Sequence, residues 1–489
     1  MTRLVVGPFN RVEGDLEVKL DITGGSVKSA RVVSPLYRGF EGILRGKPPA
    51  DALVYAPRIC GICSVSQSVA AAKALGAAAG LGYPENGLHA VNLIHATENV
   101  ADHLTHFYLF FMPDFAREAY SGEAWHEDAA VRFAALGGSA GREMLPARSQ
   151  FMHLMGILAG KWPHTLSIQP GGSTRAVVPS ELARMSAVLS AFRAFLERTL
   201  YGDELERFAT LDCAEALAAW AAEKPATSSD LRRFLAISQA LDLEKLGISQ
   251  DRFMSYGAYG SGEGALFKAG VFAGGQAAAL DIDAVAEDTS HAWYKNKGNG
   301  AALAPMDGET VPDTGPEADS GVAYSWCKAP RLGGATMEVG ALARQLVNGH
   351  PLIRDLHTDG GGNVHSRVVA RVLEIALVVI AMEQWLDRIV PGERFIEHRE
   401  LPDEASGIGL TEAARGSLGH WLRIEKGRIA NYQIVAPTTW NFSPRDASGA
   451  PGPLEQALEG APVREGETEP VSVQHIVRSF DPCLVCTVH

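Results

Sequence analysis

The sequence has no apolar stretch long enough to cross a membrane. Its most apolar run, Ile375 to Met382, is far shorter than the roughly 20 residues that a membrane-spanning helix needs. The first residues also lack the basic segment followed by an apolar stretch that marks a secretory signal. We therefore expect a cytoplasmic protein without direct membrane insertion, although a partner subunit with its own signal could export it.

Positive charge and cysteine are both scarce. The formal net charge of −13 over 489 residues argues against nucleic acid or an anionic membrane as a partner. Six cysteines are too few for a disulfide scaffold in a chain of this length. Two of them, Cys213 and Cys327, stand alone and are interpreted as structural residues. Apolar residues still make up 46% of the sequence, so we expect a sizeable buried core.

Internal repeats, low-complexity tracts and a clear interdomain linker are lacking as well. We therefore predict one large domain over residues 1–489, of the α+β class but predominantly α-helical. Alternating apolar residues before and after Gly24-Gly25 predict a β-hairpin or small sheet within residues 1–35. A stretch at about 296–322 is rich in Gly, Pro, Asp and Glu, which predicts a surface loop.

Two segments show the helical period of apolar residues. One apolar stripe extends from Leu93 to Phe111 and stops just before Pro113, and the other extends from Val368 to Leu386. We predict a long helix in each segment.

Four of the six cysteines form two C-x-x-C pairs that almost the whole chain separates. Cys60 and Cys63 form the first pair, and Cys483 and Cys486 form the second. Each pair places two thiolates about one turn apart, where both can bind one soft metal ion. Zinc ribbons space their pairs by roughly 15–20 residues. The spacing here favours a buried metal centre that the long helices surround, with a structural zinc site as the alternative.

Longer motifs surround the two pairs. The first pair lies in Arg58-Ile59-Cys60-Gly61-Ile62-Cys63, and the second lies in Asp481-Pro482-Cys483-Leu484-Val485-Cys486-Thr487-Val488-His489. These segments resemble the R-x-C-G-x-C and D-P-C-x-x-C-x-x-H signatures of [NiFe]-hydrogenase large subunits. Further matches to that family follow in the expected order along nearly the whole chain: Arg11 to Gly14, Arg38 to Glu41, His106 to Tyr108, Ser325 to Arg331, Ala414 to Trp421 and Tyr432 to Asn441.

The resemblance implies a nickel–iron centre that cleaves H2, in which the iron carries one CO and two cyanides. By position, Cys60 and Cys483 would bind nickel alone, whereas Cys63 and Cys486 would bridge nickel and iron. Soft thiolates suit both metals. Thr438 matches a hydroxyl that donates to one cyanide. The family also implies a small subunit that carries iron–sulfur clusters, in a heterodimer or a dimer of heterodimers.

The same resemblance implies functions for four charged side chains. Glu13 matches a glutamate that accepts a proton from the cysteine at the Cys483 position, and burial should raise its pKa. Arg415 matches an arginine above the open metal site, where it can hydrogen-bond cyanide. Asp114 and Asp481 match the carboxylates that hold this arginine.

A magnesium ion near the C-terminus is a further implication. Glu41 and His489 match two of its ligands, and the backbone carbonyl of Ile434 matches the third. Magnesium prefers oxygen ligands and several waters, so the histidine ligand is expected from the resemblance alone.

Some residues depart from the usual pattern of the family and favour its hydrogen-sensing branch. Gln67 stands where most members carry a histidine, and glutamine cannot titrate. Ile62 and Phe110 stand where uptake enzymes carry the smaller valine and leucine along the gas channel, so we expect oxygen tolerance. The chain also ends at His489, and sensors are made without the C-terminal extension of most precursors, but a matured chain would end in the same way. Ala414 replaces a usual proline, without a functional interpretation.

We therefore predict the H2-cleaving subunit of a regulatory hydrogen sensor, with low turnover and a histidine kinase as a further partner. One alternative is an energy-conserving uptake hydrogenase, which uses the same chemistry. Another is the related respiratory-complex subunit that has lost its metals, and the four retained cysteines argue against it.

Overall fold

A computed structural model describes residues 2–262, 264–295, 301–313, 322–358 and 361–489. Helices account for 45% of the chain and strands for 20%, which confirms the predominantly helical α+β class. The α-helices are α1 (Phe40–Leu44), α2 (Ala52–Tyr55), α3 (Ser64–Ala79), α4 (Glu85–Thr105), α5 (His126–Phe133), α6 (Ser139–Phe151), α7 (His153–Leu158), α8 (Pro179–Phe195), α9 (Leu205–Ala209), α10 (Ala214–Ala222), α11 (Asp230–Ala240), α12 (Ala341–Asn348), α13 (Pro351–Thr358), α14 (Val364–Asp387), α15 (Pro437–Asn441), α16 (Pro453–Leu458), α17 (Val471–Ser479) and α18 (Leu484–Thr487). Within the described ranges, none of these helices has the length and apolarity to cross a membrane.

The strands form small antiparallel sheets. They are β1 (Thr2–Val6), β2 (Glu17–Thr23), β3 (Ser26–Val33), β4 (Ile168–Gln169), β5 (Gly172–Ser173), β6 (Arg252–Ser261), β7 (Gly264–Ala273), β8 (Gln276–Ala278), β9 (Val285–Asp288), β10 (Ala329–Leu332), β11 (Ala405–Ala413), β12 (Gly416–Glu425) and β13 (Arg428–Val435). The sheet orders are β1-β2-β3, β4-β5, β6-β7-β8, β10-β9 and β11-β12-β13. Strands therefore occur well beyond the N-terminus.

The N-terminal hairpin is confirmed. Strands β2 and β3 pair in antiparallel register from Glu17 opposite Val33 to Thr23 opposite Ser26. Gly24 and Gly25 form the turn with φ values of 61° and 74°, a left-handed conformation that glycine adopts without strain. Strand β1, which the pattern did not predict, extends the hairpin to three strands by pairing with β2.

Both predicted long helices are present and pack against each other as α4 and α14. The apolar stripe from Leu93 to Phe111 is not one uniform helix. After Thr105 the chain continues as a π-helix from His106 to Phe111, and a 3-10 segment with Pro113 follows. Side chains from His106 to Ala116 therefore do not follow the spacing of a continued α-helix.

The sheet β11-β12-β13 lies against α3. A Cβ atom at Gly409 would lie 1.9 Å from the carbonyl oxygen of Ala70, and one at Gly407 would lie 2.0 Å from that of Ala74. Only glycine permits this close approach between strand and helix. As a result, the turn between β11 and β12 lies in the same region as the start of α3.

The larger of two apolar clusters among the described residues extends along the chain from Val6 to Cys486 and includes the four cysteines of the C-x-x-C pairs. The predicted loop at about 296–322 is described only at 301–313 and 322, where the chain has neither helix nor strand. Isolated bridges join this part to Glu287 and Tyr294. The rest of the predicted loop lies outside the described residues.

Candidate metal centre

Four thiols from opposite ends of the chain meet in the core. The Sγ atoms of Cys60 and Cys483 are 3.5 Å apart, those of Cys63 and Cys486 are 3.0 Å apart, and those of Cys483 and Cys486 are 3.2 Å apart. All four sulfurs lie within 4.8 Å of one another, buried and free of disulfides. The prediction that both pairs form one site is confirmed.

The two chain ends are joined beside this site. Cys63 directly precedes α3, and Cys483 directly precedes α18. The backbone N–H of Leu484 donates to the carbonyl of Glu13 (2.7 Å), which connects the second cysteine pair to the N-terminal segment. This connection explains how cysteines so distant in sequence can bind one centre.

The four thiols cannot all be ionised unless positive charge lies beside them. Hydrogen bonds from Cys483, Cys486 and Cys63 lower the pKa of Cys60 well below its ordinary value, whereas hydrogen bonds with Cys483 raise those of Cys63 and Cys486 well above it. A bound metal removes this conflict, since a coordinated thiol is deprotonated outright. Four buried soft sulfurs fit nickel and low-spin iron, and by their chemistry alone also zinc.

Arg415 lies at the turn between β11 and β12, near the sulfurs. Its Nη1 is 2.6 Å from Oδ2 of Asp102, its Nη2 is 3.1 Å from Oδ1 of Asp481, and its Nε donates to the carbonyl of Asp481 (2.9 Å). Burial lowers the pKa of Arg415, but the charges of these carboxylates, and of Cys483 and Cys63, raise it well above its ordinary value. Arg415 therefore stays charged beside the thiols.

Two carboxylates share this one guanidinium. Burial raises the pKa of Asp102 to about 7, although Arg415 lowers it. Burial also disfavours the Asp481 carboxylate, but the charge of Arg415 holds the pKa of Asp481 below its ordinary value. The pair of carboxylates fixes Arg415 from two sides.

The prediction that Asp114 holds Arg415 is wrong. Asp114 follows the π-helix and is directed to another cluster, where Arg478 Nη1 lies 2.7 Å from its Oδ2 and Arg11 is a second ion-pair partner. Burial raises the pKa of Asp114, but a hydrogen bond from His475 and the charge of Arg478 hold it well below its ordinary value. Asp102, which lies on α4 about three turns earlier, forms the ion pair with Arg415 that was predicted for Asp114.

Glu13 lies at the site, as predicted. Its backbone forms a parallel bridge with Cys483, and its side chain is half-buried. Burial and the negative charge of Cys60 raise the pKa of Glu13, and the charge of Arg415 opposes this shift. A raised pKa makes the Glu13 carboxylate a stronger base than in water, which suits a side chain that accepts a proton beside the thiols.

Two further predicted residues contact the cysteine segments. Thr438 Oγ1 accepts a hydrogen bond from the backbone N–H of Cys483 (3.1 Å), so its own hydroxyl hydrogen remains available for another acceptor. Gln67 Oε1 accepts from Nε2 of His420 (2.8 Å), and burial lowers the pKa of His420 to about 3, so that ring is neutral. The Nε2 of Gln67 is buried without a hydrogen-bond partner in the described part of the chain.

The two proposed gas-channel residues lie on separate segments. The backbone N–H of Ile62 lies 3.3 Å from Cys60 Sγ, and its side chain packs against the core. Phe110 lies in the π-helix, and its carbonyl accepts from Arg11 (2.9 Å). Both side chains are half-buried. That they line one passage stays a prediction.

Two of the predicted magnesium ligands, Glu41 and His489, come together near α1, whereas Ile434 contacts Glu41 through its N–H and not through the predicted carbonyl. His489 Nε2 is 3.3 Å from Glu41 Oε1, and the N–H of Ile434 donates to the same oxygen (2.8 Å). Burial disfavours the Glu41 carboxylate, but the charge of Lys328 lowers its pKa to about 2. Lys328 also contacts Glu287, whose Oε1 is buried without a hydrogen-bond partner within the described ranges. Burial raises the pKa of Glu287, although the charge of Lys328 opposes this shift, so a further cation here would favour the ionised form of both carboxylates.

Comparison with known proteins decides the family. A sequence model described as nickel-dependent hydrogenase matches residues 38–134 and 141–489. The chain belongs to the nickel-dependent hydrogenase family. It is 30% identical to the periplasmic [NiFeSe] hydrogenase large subunit of Desulfomicrobium baculatum, with 100% of this chain and 95% of the relative covered. It is 27% identical to the uptake hydrogenase large subunit of Rhodobacter capsulatus, with the same coverage.

Solved structures agree. The Ni-Fe-Se hydrogenase from D. vulgaris Hildenborough in the reduced state has a TM-score of 0.84 at 30% identity, with both chains fully covered. This chain is therefore a hydrogenase, and its four-cysteine cluster offers the site for the nickel on which its H2 chemistry depends.

Sequence reasoning missed two residues of this hydrogenase that hold Arg415. Asp102 lies on α4 four residues before His106, on a helix that is buried along nearly its whole length, and an acidic residue in so apolar a segment is the signal that could have identified it. Arg344 on α12 donates to the carbonyls of Ala413 and Ala414 (both 2.9 Å).

Arg344 is itself fixed by buried carboxylates. It pairs with Glu374 through Nε and Nη2 (2.9 and 2.7 Å) and with Glu412 through Nη1 (2.8 Å). Arg344 therefore holds the backbone directly before Arg415.

Proposed function

We propose that this hydrogenase is the large subunit of a cytoplasmic heterodimer that senses H2, alone or as a dimer of heterodimers, and that its small subunit carries iron–sulfur clusters. The four cysteines would bind nickel, and Cys63 and Cys486 would also bind an iron with one CO and two cyanides. The observation that carries the proposal is the convergence of Arg415 and Glu13 on the four buried thiols. A histidine kinase would receive the signal.

The chain's own groups divide the chemistry between them. The metal centre, when bound, supplies the Lewis acidity that makes H2 acidic enough to cleave. Arg415 keeps one Nη1 hydrogen beyond its bonds with Asp102 and Asp481, which suits a cyanide or the open site. Glu13 accepts the proton from a cysteine sulfur and passes it outward. Thr438, whose Oγ1 accepts from the Cys483 N–H, would donate its hydroxyl hydrogen to a cyanide of the bound centre.

Replacing Glu13 by glutamine should block proton transfer while leaving the centre intact. Glutamine keeps the size and the hydrogen-bonding capacity of the side chain but cannot titrate. We expect hydrogen–deuterium exchange by the purified heterodimer to fall at least about 100-fold, with the infrared bands of CO and cyanide retained. Asp15→Asn, an exposed change two residues further on, is the matched control and should keep the parent rate. Parent-like exchange in Glu13→Gln would make Glu13 structural.

Gln67 supports the sensing role over energy conservation. Its fixed hydrogen bond with neutral His420 gives a site that does not titrate where uptake enzymes usually carry a histidine. The relatives named above include an uptake enzyme, and this similarity makes an uptake hydrogenase the second candidate. A chromosomal Cys483→Ser substitution separates the two. Loss of H2-dependent gene induction with unchanged H2 consumption supports a sensor, whereas loss of H2 consumption itself supports an uptake enzyme.

Widening the proposed gas passage should make the protein sensitive to oxygen. Ile62→Val and Phe110→Leu each remove side-chain volume at a cost of about 1–2 kcal/mol of packing. H2 is smaller than O2, so a narrow passage excludes mainly O2. We expect the double variant to lose dye-reduction activity during incubation in air, whereas the parent does not. A folded, nickel-loaded double variant that keeps its activity in air would contradict the channel, with thermal unfolding as the control for packing.

We also propose a magnesium ion between Glu41, His489 and the carbonyl of Ile434. The two buried carboxyl groups that contact Lys328 and the unpartnered oxygen of Glu287 support it. Elemental analysis of the purified protein should find about one magnesium per chain, and its lack would contradict the proposal.

A further inference from the structure

The helix that follows the first cysteine pair has no cap from its own sequence. Cys63 occupies the N-cap position of α3, where Ser, Thr, Asp or Asn usually accepts hydrogen bonds from the first backbone N–H groups. The Cys63 side chain makes no such bond, and its sulfur lies 3.0 Å from that of Cys486 instead. The first bond of the helix runs from the N–H of Gln67 to the carbonyl of Cys63 (3.1 Å). The N–H groups before residue 67 therefore need acceptors from elsewhere.

Glu98 supplies these acceptors from a different helix. It lies on α4 and is 2% exposed. Its Oε1 accepts from the backbone N–H groups of Val65 and Ser66, each at 3.0 Å, and its Oε2 accepts from that of Val65 at 2.9 Å. Glu98 thus caps α3 from a different helix of the same chain. Cys63 cannot provide this cap because its sulfur belongs to the four-thiol site.

Other donors fix the carboxylate in place. The indole Nε1 of Trp162 donates to Oε2 (2.9 Å), and the hydroxyls of Ser64 and Ser66 lie 3.3 Å from Oε2 and Oε1. Burial raises the pKa of Glu98 to about 8, even though the hydrogen bonds from Val65 and Trp162 lower it. The backbone and indole N–H groups can only donate, so both Glu98 oxygens serve as acceptors for them.

Removing this cap would leave buried N–H groups without acceptors. An unsatisfied buried donor is costly, so the first turn of α3 would unwind or shift rather than keep its present geometry. Cys63 immediately precedes that turn, and its Cα–Cβ direction depends on it. The position of a sulfur that lies 3.0 Å from Cys486 would then change.

We propose that Glu98 is a positioning residue for the metal ligand Cys63, because it fixes the first turn of α3 from outside that helix. This inference rests on the proposed binding of metal by Cys63. Glu98 touches neither the sulfurs nor the open site in the described contacts, so it acts through α3 and is not itself a catalytic residue.

Glu98→Gln is the sharpest test, because glutamine has nearly the same shape but only one acceptor oxygen. In the purified heterodimer we expect faster amide hydrogen exchange in the peptide that contains Val65 and Ser66, and shifted infrared bands of CO and cyanide. H2–D2 exchange per nickel should fall about 10–100-fold, as for other residues that orient metal ligands. Loss of nickel from a folded Glu98→Gln protein would also agree with the proposal.

Asn363→Ala is the matched control. Asn363 caps α14, another long buried helix, by accepting from the N–H of Ser366 (2.8 Å). It should lower the unfolding temperature without moving the infrared bands or the exchange of the Val65–Ser66 peptide. A merely stabilising role of Glu98 predicts the same outcome for Glu98→Gln, and that outcome would overturn the proposal.

Trp162→Phe decides the matter if Glu98→Gln does not fold. It removes only one donor to Glu98, so the protein should still fold. The infrared bands and the amide exchange of the Val65–Ser66 peptide should shift, but by less than in Glu98→Gln. No shift in either measurement would also overturn the proposal. The amide exchange does not depend on the metal. If the parent protein shows no nickel and no infrared bands, the proposed function fails, while altered amide exchange would still establish the cap.

Discussion

Serine in place of any one of Cys60, Cys63, Cys483 or Cys486 is expected to remove nickel from the purified protein. The four sulfurs lie within 4.8 Å of one another in a buried site, so each substitution places a harder oxygen at a position built for a soft thiolate. Hydrogen oxidation should fall by more than about 100-fold, since even outer residues of metal sites typically cost about 10–100-fold. Nickel per chain, measured by elemental analysis, and dye reduction under H2 test this expectation.

Cys213→Ser is the control for this series. Cys213 lies outside the four-thiol site and caps α10, where its sulfur accepts from the N–H of Ala216 (3.4 Å). Serine can make the same bond, so nickel content and activity should stay at the parent level. Full nickel content with normal H2 oxidation in any one of the four site variants would contradict the assignment of that cysteine as a ligand.

Elements with a local periodic pattern could be predicted from the sequence. The hairpin β2–β3 alternates apolar and polar residues, and α14 repeats its apolar residues with the helical period. The sheet β11-β12-β13 could not be predicted in this way. Residues 416–422 of β12 are all buried, so both faces of the strand are apolar or tightly packed and the alternation of period two is lost.

The parts of the candidate site that lie in short sequence motifs could be predicted from the sequence. The two C-x-x-C pairs, Glu13 and Arg415 were assigned from short segments, and the structure brings all of them together. Glu98 gave no such signal, because its role depends on a contact between helices α3 and α4. In the sequence it is one charged residue between the apolar positions of a predicted helix, and only the packing shows which N–H groups it accepts from.

Asp114 shows why a spatial partner cannot be assigned from position alone. The regular helix ends at Thr105, and the π-helix and 3-10 segment that follow place Asp114 with Arg478, Arg11 and His475. No apolar periodicity marks this change, since the stripe continues to Phe111 across it. The resulting exchange of Asp114 for Asp102 has a direct experimental consequence.

Asp102→Asn and Asp114→Asn should therefore affect the protein in different ways. Each breaks a buried ion pair, and losing one partner of such a pair typically costs about 3–5 kcal/mol of stability. Asparagine at 102 removes a charge that holds Arg415 beside the thiols, at 2.6 Å from its Nη1. We expect H2–D2 exchange per bound nickel to fall about 10–100-fold in Asp102→Asn, together with shifted cyanide bands, because the Arg415 guanidinium turns away from the site.

Asparagine at 114 should instead weaken the fold around α17 without changing the centre. Asp114 contacts Arg478 and His475, both on α17, and it makes no described contact with Arg415. The fraction of Asp114→Asn that remains folded and nickel-loaded should keep the parent exchange rate per nickel and the parent infrared bands. Thermal unfolding, nickel analysis and gas exchange on the same preparations separate the two effects. If Asp114→Asn slows exchange per nickel while Asp102→Asn leaves it unchanged, Asp114 governs the arginine after all, and the geometry that places Asp102 beside Arg415 is not the one in which the enzyme works.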